Sequence, residues 1–102
     1  MKTDQVTQMI GLANKAGKVV SGETAVEKAI KKGNAFLVII AEDASERSKK
    51  TWSDMCAFYE TKLCVYGTKE TLGGILGKEF RAAVAITDEA LGNTIERKMI
   101  GG

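Results

Sequence analysis

The chain contains no histidine and no proline. Without histidine it lacks the side chain that most readily exchanges a proton near neutral pH, and with it the usual general base and triad member. There are two cysteines. Cys56 and Cys64 do not form a Cys-x-x-Cys pair, and no other zinc-ligand spacing exists. They read as reduced, buried thiols of a cytoplasmic protein; a redox pair would need the sulfurs to meet across a helix and a strand. Proline, internal repeats and low-complexity segments are all absent, so no linker divides the chain. No apolar run approaches the roughly 20 residues that span a bilayer, so no membrane partner is expected. Met1-Lys2-Thr3-Asp4 leads into an amphipathic pattern and not a signal peptide. What remains is 102 residues, 44% hydrophobic and 27% charged. That fits one domain, residues 1–102, with a true core.

A formal net charge of +2 says little by itself; its distribution says more. Residues 1–33 carry six lysines and three acids, a net +3, while residues 34–102 carry nine Lys/Arg and ten acids, a net −1. The excess surrounds Asn14–Gly33. Gly17 can take the left-handed conformation that ends a helix, and Val19 and Val20 suit a short strand. Ser21 can cap a second helix, with Gly22 in its first turn. In that helix Ala25, Val26, Ala29 and Ile30 form an apolar face, while Thr24, Lys28, Lys31 and Lys32 line another. A helix start with free N–H groups, a hydroxyl and three lysines beside it suits a polyanion. A merely solvated lysine face is the ordinary alternative.

Elsewhere, strand-like and helix-like stretches alternate. Thr3 or Asp4 can cap a first helix whose buried side is Val6, Met9, Ile10 and Ala13. Phe36–Ala41 is a continuous apolar run, the pattern of a central strand covered on both faces. Asp43 or Ser45 then caps a third helix, with Trp52, Met55, Cys56 and Tyr59 as its core stripe. A strand at Leu63–Tyr66, a turn and cap at Gly67-Thr68, and a short helix from about Lys69 to Leu76 follow, the helix closed by Gly77. The loop Lys78–Arg81 leads to a strand at Ala82–Thr87. Asp88 caps a last helix that frays towards Met99–Gly102. The alternation predicts an α/β fold, a three-layer α/β/α sandwich on a sheet of about four strands.

Two glycine-rich stretches fall short of nucleotide-binding motifs. Gly11–Val19 misses phosphate-loop spacing by one residue, and Val19 stands where a magnesium-binding hydroxyl belongs. In Leu72–Gly77, Leu72 replaces the first glycine of a dinucleotide fingerprint. The acidic pairs Glu42-Asp43 and Asp88-Glu89 both follow strands. Holding magnesium for phosphoryl transfer is one use of them; helix capping and dipole complementarity is the commoner one.

Certain pieces, taken in order and spacing, go further. They are Gly11–Lys18 (Gly-Leu-Ala-Asn-Lys-Ala-Gly-Lys), Ser21-Gly22-Glu23, Lys28–Gly33, Leu37–Ser45, Gly67–Gly73 and Ala83–Ile86. With these the chain resembles the kink-turn-binding ribosomal protein superfamily, which includes large-subunit proteins seven-Ae and thirty-e, and within it the small bacterial YlxQ-type branch. The match covers nearly the whole chain. It implies an α/β/α sandwich with no catalytic residue, cofactor or metal. It also implies RNA contacts at two places. At the start of the second helix the family pattern Gly-x-Asn-Glu-x-x-Lys grips sheared G·A pairs. Gly22 and Lys28 match it, whereas Thr24 replaces the asparagine, Ala25 replaces the glutamate and Glu23 falls two positions before the glutamate's place. The second contact is the loop before the last strand, here Lys78, Phe80, Arg81 and Ala82. Phe80 can stack on a base or close the core, and Arg81 can meet phosphate or a guanine edge. Ser45 also falls at an RNA-contacting position and is equally a helix cap.

The expectation is therefore a non-catalytic, cytoplasmic, monomeric binder of structured, kink-turn-like RNA, ribosomal RNA foremost, associated with the ribosome. Its RNA-binding residues would be Lys18, Gly22, Glu23, Thr24, Lys28, Lys31, Lys32, Ser45, Lys78, Phe80, Arg81 and Ala82. The alternatives are a protein-interaction module with little RNA affinity and a magnesium-dependent phosphoryl-transfer enzyme.

Overall fold

A computed structural model describes residues 4–101 and is centred on two fully buried strands. These are β2 (Leu37–Ile40) and β4 (Ala83–Ile86). Both are continuous apolar runs, and both faces of each are covered. Two short strands flank them, β1 (Val19–Ser21) beside β4 and β3 (Leu63–Val65) beside β2, in the order β1-β4-β2-β3. β2 and β3 are parallel; the other two pairings are antiparallel.

Five helices complete three layers. α1 (Gln5–Lys15), α4 (Lys69–Ile75) and α5 (Glu89–Gly101) cover one face. There Ile10, Leu72 and Ile95 pack on Leu37, Ile39, Val84 and Ile86. α2 (Glu23–Lys31) and α3 (Glu46–Phe58) cover the other, where Val26, Ile30, Trp52 and Cys56 meet Val38, Ile40, Ala83 and Ala85. Alternate residues of the same strands supply the two cores, as the pleat requires.

Four helix starts are capped as their residue types suggest. Asp4, Ser45, Thr68 and Asp88 accept from the N–H groups of Thr7, Ser48, Thr71 and Leu91. Thr3 and Gly102 lie outside the described residues. α2 differs from expectation: its N-cap is Gly22, with no side-chain hydrogen bond, and Ser21 belongs to β1. Asp43 does not cap α3 but reaches across to accept from the N–H of Lys69, the first residue of α4. On α3 the core stripe stops short. Trp52 and Cys56 are buried, but Tyr59 is exposed at the helix end.

Strand direction settles the fate of the acidic pairs. Ile40 pairs with Ala83 and Leu37 with Ile86, so the end of β2 and the end of β4 lie at opposite ends of the sheet. Glu42-Asp43 and Asp88-Glu89 therefore cannot share a metal ion. Asp43 and Asp88 are engaged with backbone N–H groups, and no cluster of three potential metal ligands occurs among the described residues. Burial pushes the Cys56 thiol up to about 11. Burial, with the nearby Glu96 carboxylate adding to it, pushes Cys64 up to about 12. Both are free, protonated thiols at neutral pH and poor nucleophiles.

Candidate nucleic-acid interface

The sheet register gathers four connections at one end. Ser21 pairs with Val84, Ile40 with both Ala83 and Val65. Gly22–Thr24, Ala41–Ser45, Tyr66–Thr68 and Lys78–Ala82 thus leave or enter the sheet together, at what we call the Ser21 end. Backbone hydrogen bonds stitch them to one another. Gly22 N–H donates to Ala83 C=O at 3.1 Å, Ala41 to Ala82 at 2.9 Å and Glu42 to Gly67 at 2.7 Å.

The first turn of α2 lies open here. Gly22 adopts φ +90°, a region that side-chain-bearing residues rarely enter, and its carbonyl accepts from Val26 N–H. With no side-chain cap, the N–H groups of Glu23, Thr24 and Ala25 remain without intrahelical partners. Glu23 and Thr24 are exposed; Ala25 is half-buried.

The loop before β4 sits on α4. Arg81 N–H donates to Lys69 C=O at 3.0 Å and Lys78 N–H to Gly73 C=O at 2.8 Å. The loop presses so closely on the helix that a Cβ on Gly73 would fall on the carbonyl oxygen of Glu79. Only glycine admits that approach. Held this way, Phe80 turns outward with 66% of its surface exposed and does not close the core. The Arg81 guanidinium bridges to the α2 side: Nε donates to Ser21 Oγ at 3.1 Å and Nη1 to the Phe80 carbonyl at 2.9 Å. Ser21 thus positions an arginine where the sequence suggests a helix cap. The two residues lie 60 positions apart in the chain, so the pairing leaves no local signal.

The Ser21 end brings together Gly22, Glu23, Thr24, Ser45, Lys78, Phe80, Arg81 and Ala82. It does not bring in the rest. Lys18 precedes β1 and lies at the opposite end, where its carbonyl accepts from Thr87 N–H. Lys31 and Lys32 form the last turn and C-cap of α2, about 12 Å along the helix axis from its start. Lys28 stands between. The four residues Thr24, Lys28, Lys31 and Lys32 do share a helix side, but that side runs the length of the layer. Lys31 is also partnered: its ammonium donates to Glu27 at 2.7 Å, and this bond and the carboxylate charge raise its pKa.

This is an α/β/α module presenting an uncapped helix start beside a glycine-supported loop with an outward aromatic ring and an arginine. Comparison with known proteins agrees with that class. Residues 4–95 match the "Ribosomal protein L7Ae/L30e/S12e/Gadd45 family", and the chain belongs to this family. It is 41% identical over 87 residues to "RNA-binding protein YlxQ" of Bacillus subtilis (strain 168), covering 85% of this chain and 87% of the relative. It is 34% identical over 70 residues to the Enterococcus faecium protein of the same name, covering 69% and 68%. A solved structure, "The structure of a protein with unknown function from Bacillus halodurans C", superposes with a TM-score of 0.92 at 28% identity, over 96% of this chain and 99% of the other. The relatives' names carry RNA binding and no enzyme activity.

Proposed function

We propose that this protein is a non-catalytic RNA-binding protein that recognises a sharply bent, kink-turn-like element at the Ser21 end of its sheet. The observation that carries this reading is the juxtaposition there of the open α2 start with the Phe80–Arg81 loop, joined by the Arg81–Ser21 bond. Free N–H groups suit a phosphate or a base edge. The exposed ring of Phe80 suits an unstacked base, and the guanidinium suits a phosphate or guanine. The acids Glu23, Glu42, Asp43, Glu70 and Glu79 outnumber Lys69, Lys78 and Arg81 in this region. Recognition at this end therefore rests on shape, stacking and hydrogen bonds more than on charge.

The same reading makes residues 1–102 one domain, acting as a monomer in the cytoplasm with ribosomal RNA as its natural partner. Ser45 is already engaged in the α3 cap and contributes through loop position. The test is a fluorescence-anisotropy titration against a kink-turn duplex and against the same duplex with its G·A pairs replaced. Binding that weakens at least several-fold on replacement is expected. Phe80→Ala and Arg81→Ala should each reduce the difference. Equal affinity for both RNAs, with the fold intact, overturns kink-turn recognition. Co-sedimentation with ribosomal subunits in a sucrose gradient tests the ribosomal assignment; recovery only in the free fraction overturns it.

A further inference from the structure

We infer that the opposite end of the molecule, around the exposed Phe58–Tyr59 pair and the end of α2, is a second RNA contact that takes single-stranded nucleotides flanking the structured element. It rests on the RNA-binding reading above but uses none of the residues at the Ser21 end.

α3 runs from the Ser21 end to the Lys18 end and finishes in two adjacent aromatic residues. Phe58 is 78% exposed and Tyr59 40%. Their ring centroids are 4.9 Å apart at an interplanar angle of 76°. The edge-to-face arrangement keeps Phe58 available to solvent, with Tyr59 bracing it. Glu60 then turns the chain with φ +55°, the one non-glycine residue with positive φ among the described residues.

The lysines that the sequence associates with a helix start are here instead. Glu23 and Glu27 of α2 face Ser48, Trp52 and Met55 of α3 across a groove of about 290 Å³. The next members of these helical rows are Lys31 and Tyr59. On the other flank of α2, Lys28 and Lys32 line a shallow groove of about 490 Å³ along β1, with Val20, Asn34 and Thr87. Lys28 and Lys32 have no salt-bridge partner among the described residues. The helical repeat thus places Lys31 on the α3 flank and Lys32 on the β1 flank at the same end of the layer as the close of α3, which carries the aromatic pair.

That pairing defines the ligand. An acidic peptide would use the lysines but has no need of two bare rings. An apolar protein surface would use the rings but not the cations. A nucleic-acid single strand needs both, because a positive groove tracks its backbone while aromatic faces stack its bases without regard to sequence.

The test uses the full-length protein and two probes, a decauridylate strand and a kink-turn duplex with and without a ten-nucleotide single-stranded tail. The protein should bind the decamer in a salt-sensitive way, and the tail should raise affinity for the duplex. Phe58→Ala, at a site exposed enough to leave the fold intact, should weaken decamer binding about 5- to 100-fold and cancel the benefit of the tail. Phe58→Trp should restore both. Lys28→Gln with Lys32→Gln should lower the salt slope for the decamer by roughly 0.7 for each phosphate no longer neutralised. A 2-aminopurine in the strand should be quenched on binding the wild type and not Phe58→Ala. Phe80→Ala should weaken the untailed duplex and leave the decamer unchanged. If the kink-turn fails to bind while the decamer binds through Phe58, the second contact stands and the proposed function falls. If the kink-turn binds but the tail adds nothing, or Phe58→Ala leaves the decamer unaffected, the second contact is overturned. Self-association in sedimentation that Phe58→Ala abolishes would also overturn it, assigning the platform to a second copy of this chain.

Discussion

The two ends of the sheet are built from the same strands and helices, yet they are unlike in kind. The Ser21 end carries more acids than bases and is stitched by backbone bonds among four loops. The Lys18 end gathers Lys18, Lys31 and Lys32, the rings of Phe58 and Tyr59, and helix ends rather than interlocked loops. One end has the fixed geometry that discrimination requires. The other has the charge and bare stacking surface that sequence-neutral affinity requires. A sequence places charge along the chain; only topology decides at which end of a helix it finishes.

The largest effect should come from the element the two ends share. Trp52 lies midway along α3 and is only 4% exposed, packed between α2 and the sheet. Trp52→Ala removes its packing and leaves a cavity, at a cost on the order of 3–5 kcal/mol. Chemical denaturation should show that loss, and both RNA-binding activities should weaken together as the α2–α3 layer loosens. A cost near zero would mean the indole is not core.

Gly73→Ala should separate the ends. The added methyl collides with the backbone of Glu79, so the loop must move. Overpacking of this kind costs about 1–3 kcal/mol. Binding of the kink-turn should fall to the level of the Phe80→Ala, Arg81→Ala double mutant, and combining the three changes should add nothing further. Decamer binding should be unchanged. Additive losses would mean that Gly73 acts through stability alone and does not position the loop.

These two cases show what the sequence makes legible. Periodicity marks Trp52 as core, and the run Phe36–Ala41 marks a central strand, because burial on both faces leaves an unbroken apolar signature; Ala82–Thr87 reads as a strand, and the sheet order makes β4 the second central one. The family and the three layers follow from such local patterns. Gly73 carries no such mark. Its role depends on a loop a few residues on that folds back over the helix. Nor does Ser21 reveal that it holds Arg81, since it fits a helix-cap pattern although the N-cap position falls to Gly22 and the helix start stays without a side-chain cap. The aromatic stripe misleads at Tyr59 because its 3.6-residue period runs one residue past the last helical residue, Phe58, onto the C-cap.

At the Ser21 end the altered motif allows a finer test. Thr24 is exposed at the open helix start, and Ala25 is half-buried beside Lys28 in the groove along β1. Alanine offers no acceptor to a guanine edge. Thr24→Asn with Ala25→Glu should therefore increase discrimination between the kink-turn and its G·A-replaced version by on the order of 1–3 kcal/mol. The gain should lie toward the lower figure, because a glutamate at position 25 can also pair with Lys28 three residues on. Decamer binding should decline slightly as that lysine is partly neutralised. Strong G·A-dependent binding by the wild type, unimproved by the change, would mean that Arg81 and the loop already read the bases.

The smallest effect concerns how α1 is tethered to the same end. The Tyr66 hydroxyl, just beyond β3, donates to the Asp4 carboxylate at 2.6–2.7 Å, while Asp4 also accepts from Thr7 N–H. The Tyr66 bond, followed by the Thr7 bond, lowers the Asp4 pKa. The stability from this contact is therefore complete above the ordinary carboxylate range and is lost as pH falls through the lowered value. Partial burial, followed by the Asp4 bond, raises the Tyr66 pKa. Its contribution is complete below the ordinary phenol range and is lost as pH rises through the raised value. Asp4 is exposed, so solvent screening keeps the whole contribution small. Tyr66→Phe removes the bond in both directions. The difference in denaturation midpoint between wild type and Tyr66→Phe should hold a plateau from about pH 5 to about pH 9 and shrink on either side. A difference that does not change across the whole range would show that the hydroxyl acts through Thr7 Oγ, 2.7 Å away, and not through the ionised Asp4 carboxylate.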